Sequence, residues 1–163
     1  MKNFAVLLIL FLLTACPQKQ QKDYNNTIPR MVSLKYGVIN ARSGPAGHYP
    51  VEWVYKQKNA PVEIILEYGD WVKIKDWEGS EAWINKNKFI NSRWIKIIQK
   101  GITNVYSKPD SESKIIAKAE DQVIGKVEKC PKHKNFCLIK FSDIKGWIKR
   151  DYIYGIYPDE TIN

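Results

Sequence analysis

Beyond residue 30 the apolar positions fall in short runs of four to eight, rich in Val, Ile, Trp and Tyr and broken at short intervals by Gly, Pro, Asn and Asp. That spacing predicts strands joined by tight turns. Trp71-Val72-Lys73-Ile74-Lys75 alternates apolar and charged residues, and Cys137-Leu138-Ile139-Lys140-Phe141 does so more loosely. A period of two of this kind belongs to a half-buried strand. No stretch of helical length keeps an amphipathic stripe, so the body of the chain reads as all-β.

The first thirty residues have a different pattern. Met1-Lys2-Asn3 is short and positive, and Phe4 to Leu13 is an unbroken apolar run of ten. A permanent bilayer span needs about 20 such residues, so the run reads as an export signal. Leu13-Thr14-Ala15-Cys16 follows, an apolar residue and two small ones before a cysteine. It resembles the lipobox of bacterial lipoproteins, which implies diacylation of the Cys16 sulfur and cleavage before it. The alternative is ordinary signal-peptidase cleavage near Ala15, which Leu13 at the −3 position disfavours. Pro17 to Pro29 is polar, Gln- and Asn-rich and without period, as expected of a tether. The expected organisation is a leader over 1–15, a tether over 16–31 and two small units over 32–92 and 93–158.

Two units are expected because the chain repeats itself. Gly37-Val38-Ile39-Asn40-Ala41-Arg42-Ser43-Gly44-Pro45 lies 64 residues before Gly101-Ile102-Thr103-Asn104-Val105-Tyr106-Ser107-Lys108-Pro109. The same offset superposes Trp83-Ile84-Asn85-Lys86 on Trp147-Ile148-Lys149-Arg150. Register at both ends of a roughly 55-residue segment signals duplication of one structural unit. So small an all-β unit buries little core, which favours a closed barrel or a staple. Trp53, Trp71, Trp83 and Trp147 are expected in the cores and at the barrel closures.

The 163 residues carry a formal charge of +9, spread as Lys along the whole chain. Dispersed charge argues against a dedicated nucleic-acid surface and fits solvated strand faces, or general attraction to anionic lipids and wall polymers. Among the three cysteines, Cys130 and Cys137 flank a short loop, and export makes a disulfide between them the default. A metal set of Cys130, His133 and Cys137 is the alternative, and it has no fourth ligand nearby. His48 and His133 are the only histidines, and no phosphate-cradling loop, zinc-protease motif or marked carboxylate dyad is present. No enzymatic activity, metal or cofactor is therefore expected.

Asn40-Ala41-Arg42-Ser43-Gly44-Pro45 with Tyr49-Pro50-Val51, then Trp71-Val72-Lys73-Ile74, Asp76-Trp77-Glu78-Gly79 and Trp83-Ile84 resemble bacterial SH3-like domains. Cys130, Cys137, Gly146-Trp147-Ile148 and Gly155-Ile156-Tyr157-Pro158 resemble the second barrel of a tandem envelope subtype. Ala82 departs from the glycine usual before the closing Trp, and the second copy lacks the Arg-Ser-Gly-Pro loop. The resemblance implies two tandem SH3-like β-barrels acting as a targeting or recognition module. The expected protein is lipid-anchored, with its domains in the periplasm and bound to cell-wall peptidoglycan. The rival expectation is an adaptor gripping an envelope enzyme or transporter. Arg42, Ser43, Tyr49 and Trp77 are the expected ligand contacts. Arg42 equally suits a role tying its own loop to the barrel.

Overall fold

The computed structural model describes residues 27–132 and 134–163. Cys16, the leader, most of the tether and His133 lie outside them. Among the described residues there is no α-helix, only strands and two single-turn 3₁₀ segments.

The first unit comprises β1 (Arg30–Leu34), β2 (Ile39–Arg42), β3 (Val51–Tyr55), β4 (Pro61–Tyr68), β5 (Trp71–Lys75), β6 (Glu81–Asn85) and β7 (Phe89–Ile90). These form one antiparallel sheet in the order β3-β2-β6-β5-β4-β1-β7. The second comprises β8 (Trp94–Ile97), β9 (Ile102–Tyr106), β10 (Ile115–Glu120), β11 (Ile124–Lys129), β12 (Phe136–Phe141), β13 (Ile144–Lys149) and β14 (Ile153–Tyr154). Its order, β10-β9-β13-β12-β11-β8-β14, is the first order with seven added to each strand. Arg42 pairs with Trp83, and 64 residues on Tyr106 pairs with Trp147. The duplication read in the sequence is thus a duplication of topology and register.

β1 begins at Arg30, inside the stretch read as tether. At the other end the second unit runs past 158. Cys130 pairs with Ile162, and the Arg93 guanidinium donates to both Glu160 carboxylate oxygens at 2.5 and 2.8 Å. Glu160 is buried and Arg93 mostly so, and Arg150 donates to the carbonyls of Tyr157 and Glu160 beside them.

Each unit has an aliphatic core. Val32, Leu34, Ile39, Val62, Ile64, Val72, Ile74 and Ile84 fill the first, and Ile95, Ile97, Val105, Ile139 and Ile148 fill the second with the Cys130–Cys137 disulfide. The bonded sulfurs rule out their use as metal ligands. The tryptophans are elsewhere, which corrects the sequence expectation. Trp71, Trp83 and Trp147 are only half-buried, and Trp53 is 50% exposed. On β6, Ala82 and Ile84 face inward, so the intervening Trp83 faces out. The interior of a barrel this small is filled by branched aliphatic and Ala side chains.

The two units touch through side chains. Tyr157 Oη donates to Glu63 at 2.7 Å, Tyr154 Oη donates to the Lys75 carbonyl at 3.1 Å, and Gln57 Nε2 donates to the Gln122 carbonyl at 3.2 Å. Lys96 is 3% exposed, and its Nζ donates to Gln57 Oε1 at 3.0 Å.

Candidate binding loop

β2 and β3 are joined by residues 43–50, and the loop is held from within. Ser43 N–H donates to the Pro50 carbonyl, Ala46 N–H to Gly44 and Tyr49 N–H to Ala46, at 3.0, 3.0 and 3.3 Å. Arg42 Nη1 donates to the Tyr49 carbonyl at 2.7 Å, so the loop-tying role read from the sequence is present. A guanidinium has five N–H donors, and this bond uses one of them. Tyr49 lies back over Gly44: a Cβ there would come within 2.5 Å of the ring. Gly44 is therefore required by close packing. Tyr49 also stacks on His48 with centroids 4.6 Å apart and keeps 38% of its surface exposed.

The second copy has the same loop backbone with other side chains. Ser107 N–H donates to Lys114, Asp110 N–H to Lys108 and Ser113 N–H to Asp110. At the offset of 64, Arg42 becomes Tyr106, Gly44 becomes Lys108 and Tyr49 becomes Ser113. Where the tyrosine is gone, the glycine under it is gone too. Tyr106 packs edge-on against Phe136, so that position turns apolar.

Arg42, Ser43 and Tyr49 are thus brought together at one end of β2, and Arg42 lies across the strand pair from the half-buried Trp83. Trp83 was not among the expected contacts, although its outward phase between Ala82 and Ile84 was legible. Trp77 is not part of this group. It sits in the Asp76–Gly79 turn, which Asp76 organises by accepting from Glu78 N–H, Ser80 N–H and Tyr55 Oη. Gly79 closes that turn at φ +87°, a conformation that suits glycine. The indole packs edge-on to Tyr55, and Lys96 Nζ from the second unit stands 3.3 Å from its ring centroid. Burial pushes the Lys96 ammonium below the ordinary lysine range, and Glu78 and Asp76 oppose that shift. Trp77 is a contact between the units, its Nε1 buried without a hydrogen-bond partner.

The matched segment now has its geometry. Residues 35–89 match the family model of the bacterial SH3 domain. The SH3 match runs from the residue after β1 to the first residue of β7, and contains the whole 43–50 loop. The second unit repeats the strand order of this SH3 segment. No curated protein matches the chain. Among solved structures, NlpC1 from Trichomonas vaginalis is similar at 14% identity and a TM-score of 0.35, covering 90% of this chain and 50% of that one. NlpC2 from the same organism is similar at 15% identity and a TM-score of 0.34, covering 76% and 47%. The chain spans about half the length of each.

Proposed function

We propose that the chain is a non-enzymatic binding protein of the cell envelope, whose first SH3-like unit grips cell-wall peptide through Arg42, Ser43 and Tyr49. The observation that carries this reading is the difference between the copies. Two loops share one hydrogen-bonded backbone, and only the first presents a guanidinium, an exposed Tyr49 and the glycine that accommodates it. A fold that closes equally well with Tyr106, Lys108 and Ser113 does not need the first set for stability. A guanidinium beside aromatic rings suits the carboxylates and amides of peptide stems. Two cysteines are committed to a disulfide and Cys16 to the expected acylation, which leaves no thiol for a Cys–His pair.

Co-sedimentation of the full chain with purified peptidoglycan, at low and high salt, tests it. Saturable retention that survives high salt and falls at least about tenfold in Arg42→Ala/Tyr49→Ala is the expected result, one charge-assisted hydrogen-bonded contact being worth about that much. Retention that vanishes with salt, or is equal in the double variant, overturns it.

One observation favours an adaptor as the second reading. β3 is an edge strand with Val51, Trp53 and Val54 exposed. Of the other three sheet edges, β7 and β14 are blunted by being two residues long, while β10 exposes Ile115 and Ile116 but carries Lys118 and Glu120 beyond them and no tryptophan. At the offset of 64, Trp53 and Val54 correspond to Ala117 and Lys118. A partner strand added to β3 would cover this edge. Cross-linking that recovers one protein partner, with no retention on the wall, would favour this reading.

A further inference from the structure

At the other end of β2 from the binding loop, the turn from β1 to β2 carries Lys35, Tyr36, Gly37 and Val38. Tyr36 is 44% and Val38 68% exposed, the latter among the most exposed apolar residues of the described chain. The turn is held in place: Lys35 N–H donates to the Lys88 carbonyl, and Asn59 N–H donates to the Leu34 carbonyl. Those bonds bring the 3₁₀ turn Lys86–Lys88 and the β3–β4 turn to the same end, with Lys88 and Lys58 on them. Ile39 pairs with Tyr55, so Val38 and Lys56 continue from that pair on adjacent strands. Lys35 Nζ and Lys88 Nζ each lie 5.3 Å from the Tyr36 ring centroid. Two lysines thus flank the exposed Tyr36 ring and two more stand on the neighbouring β3–β4 turn, and among the described residues none of the four takes part in an ion pair.

The second copy again supplies a control. Lys35, Tyr36, Val38, Lys56, Lys58 and Lys88 correspond at the offset of 64 to Gln99, Lys100, Ile102, Glu120, Gln122 and Tyr152. The topology tolerates a neutral end, so the basic cluster near Tyr36 is not needed to close a barrel.

We infer that this end of the first unit docks on an anionic lipid surface, with Tyr36 and Val38 entering the headgroup region and Lys35, Lys56, Lys58 and Lys88 meeting the lipid phosphates. The charge fits such a surface, and the two protruding side chains distinguish it from a soluble polyanion, which offers nothing apolar to receive them. Tyr and Lys are the side chains that settle at a membrane–water boundary, the ring in the headgroup layer and the ammonium beside phosphate. Each lysine near an anionic leaflet raises affinity by about fivefold. Val38 and Ser43 are separated by the length of β2, about 16 Å. Docking at this end therefore leaves the 43–50 loop pointing away from the lipid.

The test uses the full chain with Cys16→Ser, which blocks acylation, and Val38→Cys carrying an environment-sensitive fluorophore. A second preparation carries the label at Gly47→Cys, on the 43–50 loop at the far end of β2, where an added side chain meets nothing within 4 Å. Vesicles of phosphatidylcholine with phosphatidylglycerol are compared with phosphatidylcholine alone. The expected result is a blue shift of the residue-38 label at least about tenfold more sensitive to the phosphatidylglycerol vesicles, with the residue-47 label unmoved. Exchange of the four lysines for Gln is expected to abolish the preference. No preference at residue 38, an equal response at residue 47, a preference retained without the lysines, or the same shift with soluble polyphosphate would each overturn the inference.

Discussion

Gly44 and Tyr49 form a single unit of packing. Any side chain at 44 meets the ring at 2.5 Å, so Gly44→Ala must swing Tyr49 outward. The expected cost is about 1–3 kcal/mol of stability, from overpacking at a tight contact, with loss of wall retention. Thermal unfolding and co-sedimentation of the variant check both effects. The loop-tying role of Arg42 was readable from sequence, because an Arg entering a Gly-Pro turn lies within reach of its own loop's carbonyls. Trp77 was misplaced for a physical reason. Its neighbours Asp76, Glu78 and Gly79 announce a turn, but what covers that turn is Lys96, contributed from another strand with no local signal. Trp53 was assigned to the core on its size, and the alignment of the copies already held the correction, since Ala117 occupies its place.

At the level of strands, the duplication makes the edge β3 separable from the fold. Trp53→Ala/Val54→Lys gives the first copy the residues of the second. It is expected to change stability by no more than about 0.5 kcal/mol, as surface substitutions do. A larger loss in chemical denaturation would mean that the indole is structural. The disulfide is expected to matter more. It closes a short loop at the base of β11 and β12, and Cys130→Ser/Cys137→Ser should cost about 2–3 kcal/mol by releasing that constraint from the unfolded chain. The strands themselves were legible because alternation and turn residues are local. The strand order was not, since pairing β1 with both β4 and β7 joins segments that share no sequence signal. Likewise, the limit at 158 fell short because Glu160 and Ile162 are recruited by Arg93 and Cys130 from far along the chain.

Across the whole molecule the contact between the units is rich in phenols. Burial raises the Tyr157 and Tyr154 hydroxyls, with the negative charge of Glu63 adding to both, and burial with Asp76 raises Tyr55 in the first unit. An unfolded phenol ionises near pH 10. A folded value above that contributes stability that is complete below pH 10 and lost as the pH rises past it. Lys96 and Arg150, both shifted down by burial, act in the opposite sense up to their ordinary values, but they are two groups against three. Stability measured by denaturation is expected to fall steeply above pH 10, and Tyr157→Phe should make the fall shallower. A flat alkaline limb would mean that the phenols are open to water.

The matched loops at 43–50 and 107–114 share their length and closing hydrogen bonds, yet only one carries Arg and Tyr. The proposed grip is thus single-headed, and on that proposal one molecule would anchor to one stem without bridging two. Such a hold on a polymeric wall would owe nothing to avidity. Writing Arg42 to Pro50 into the frame of Tyr106 to Lys114 would create a two-headed protein. Its second capture would occur at an effective concentration on the order of millimolar, without one new contact to either stem.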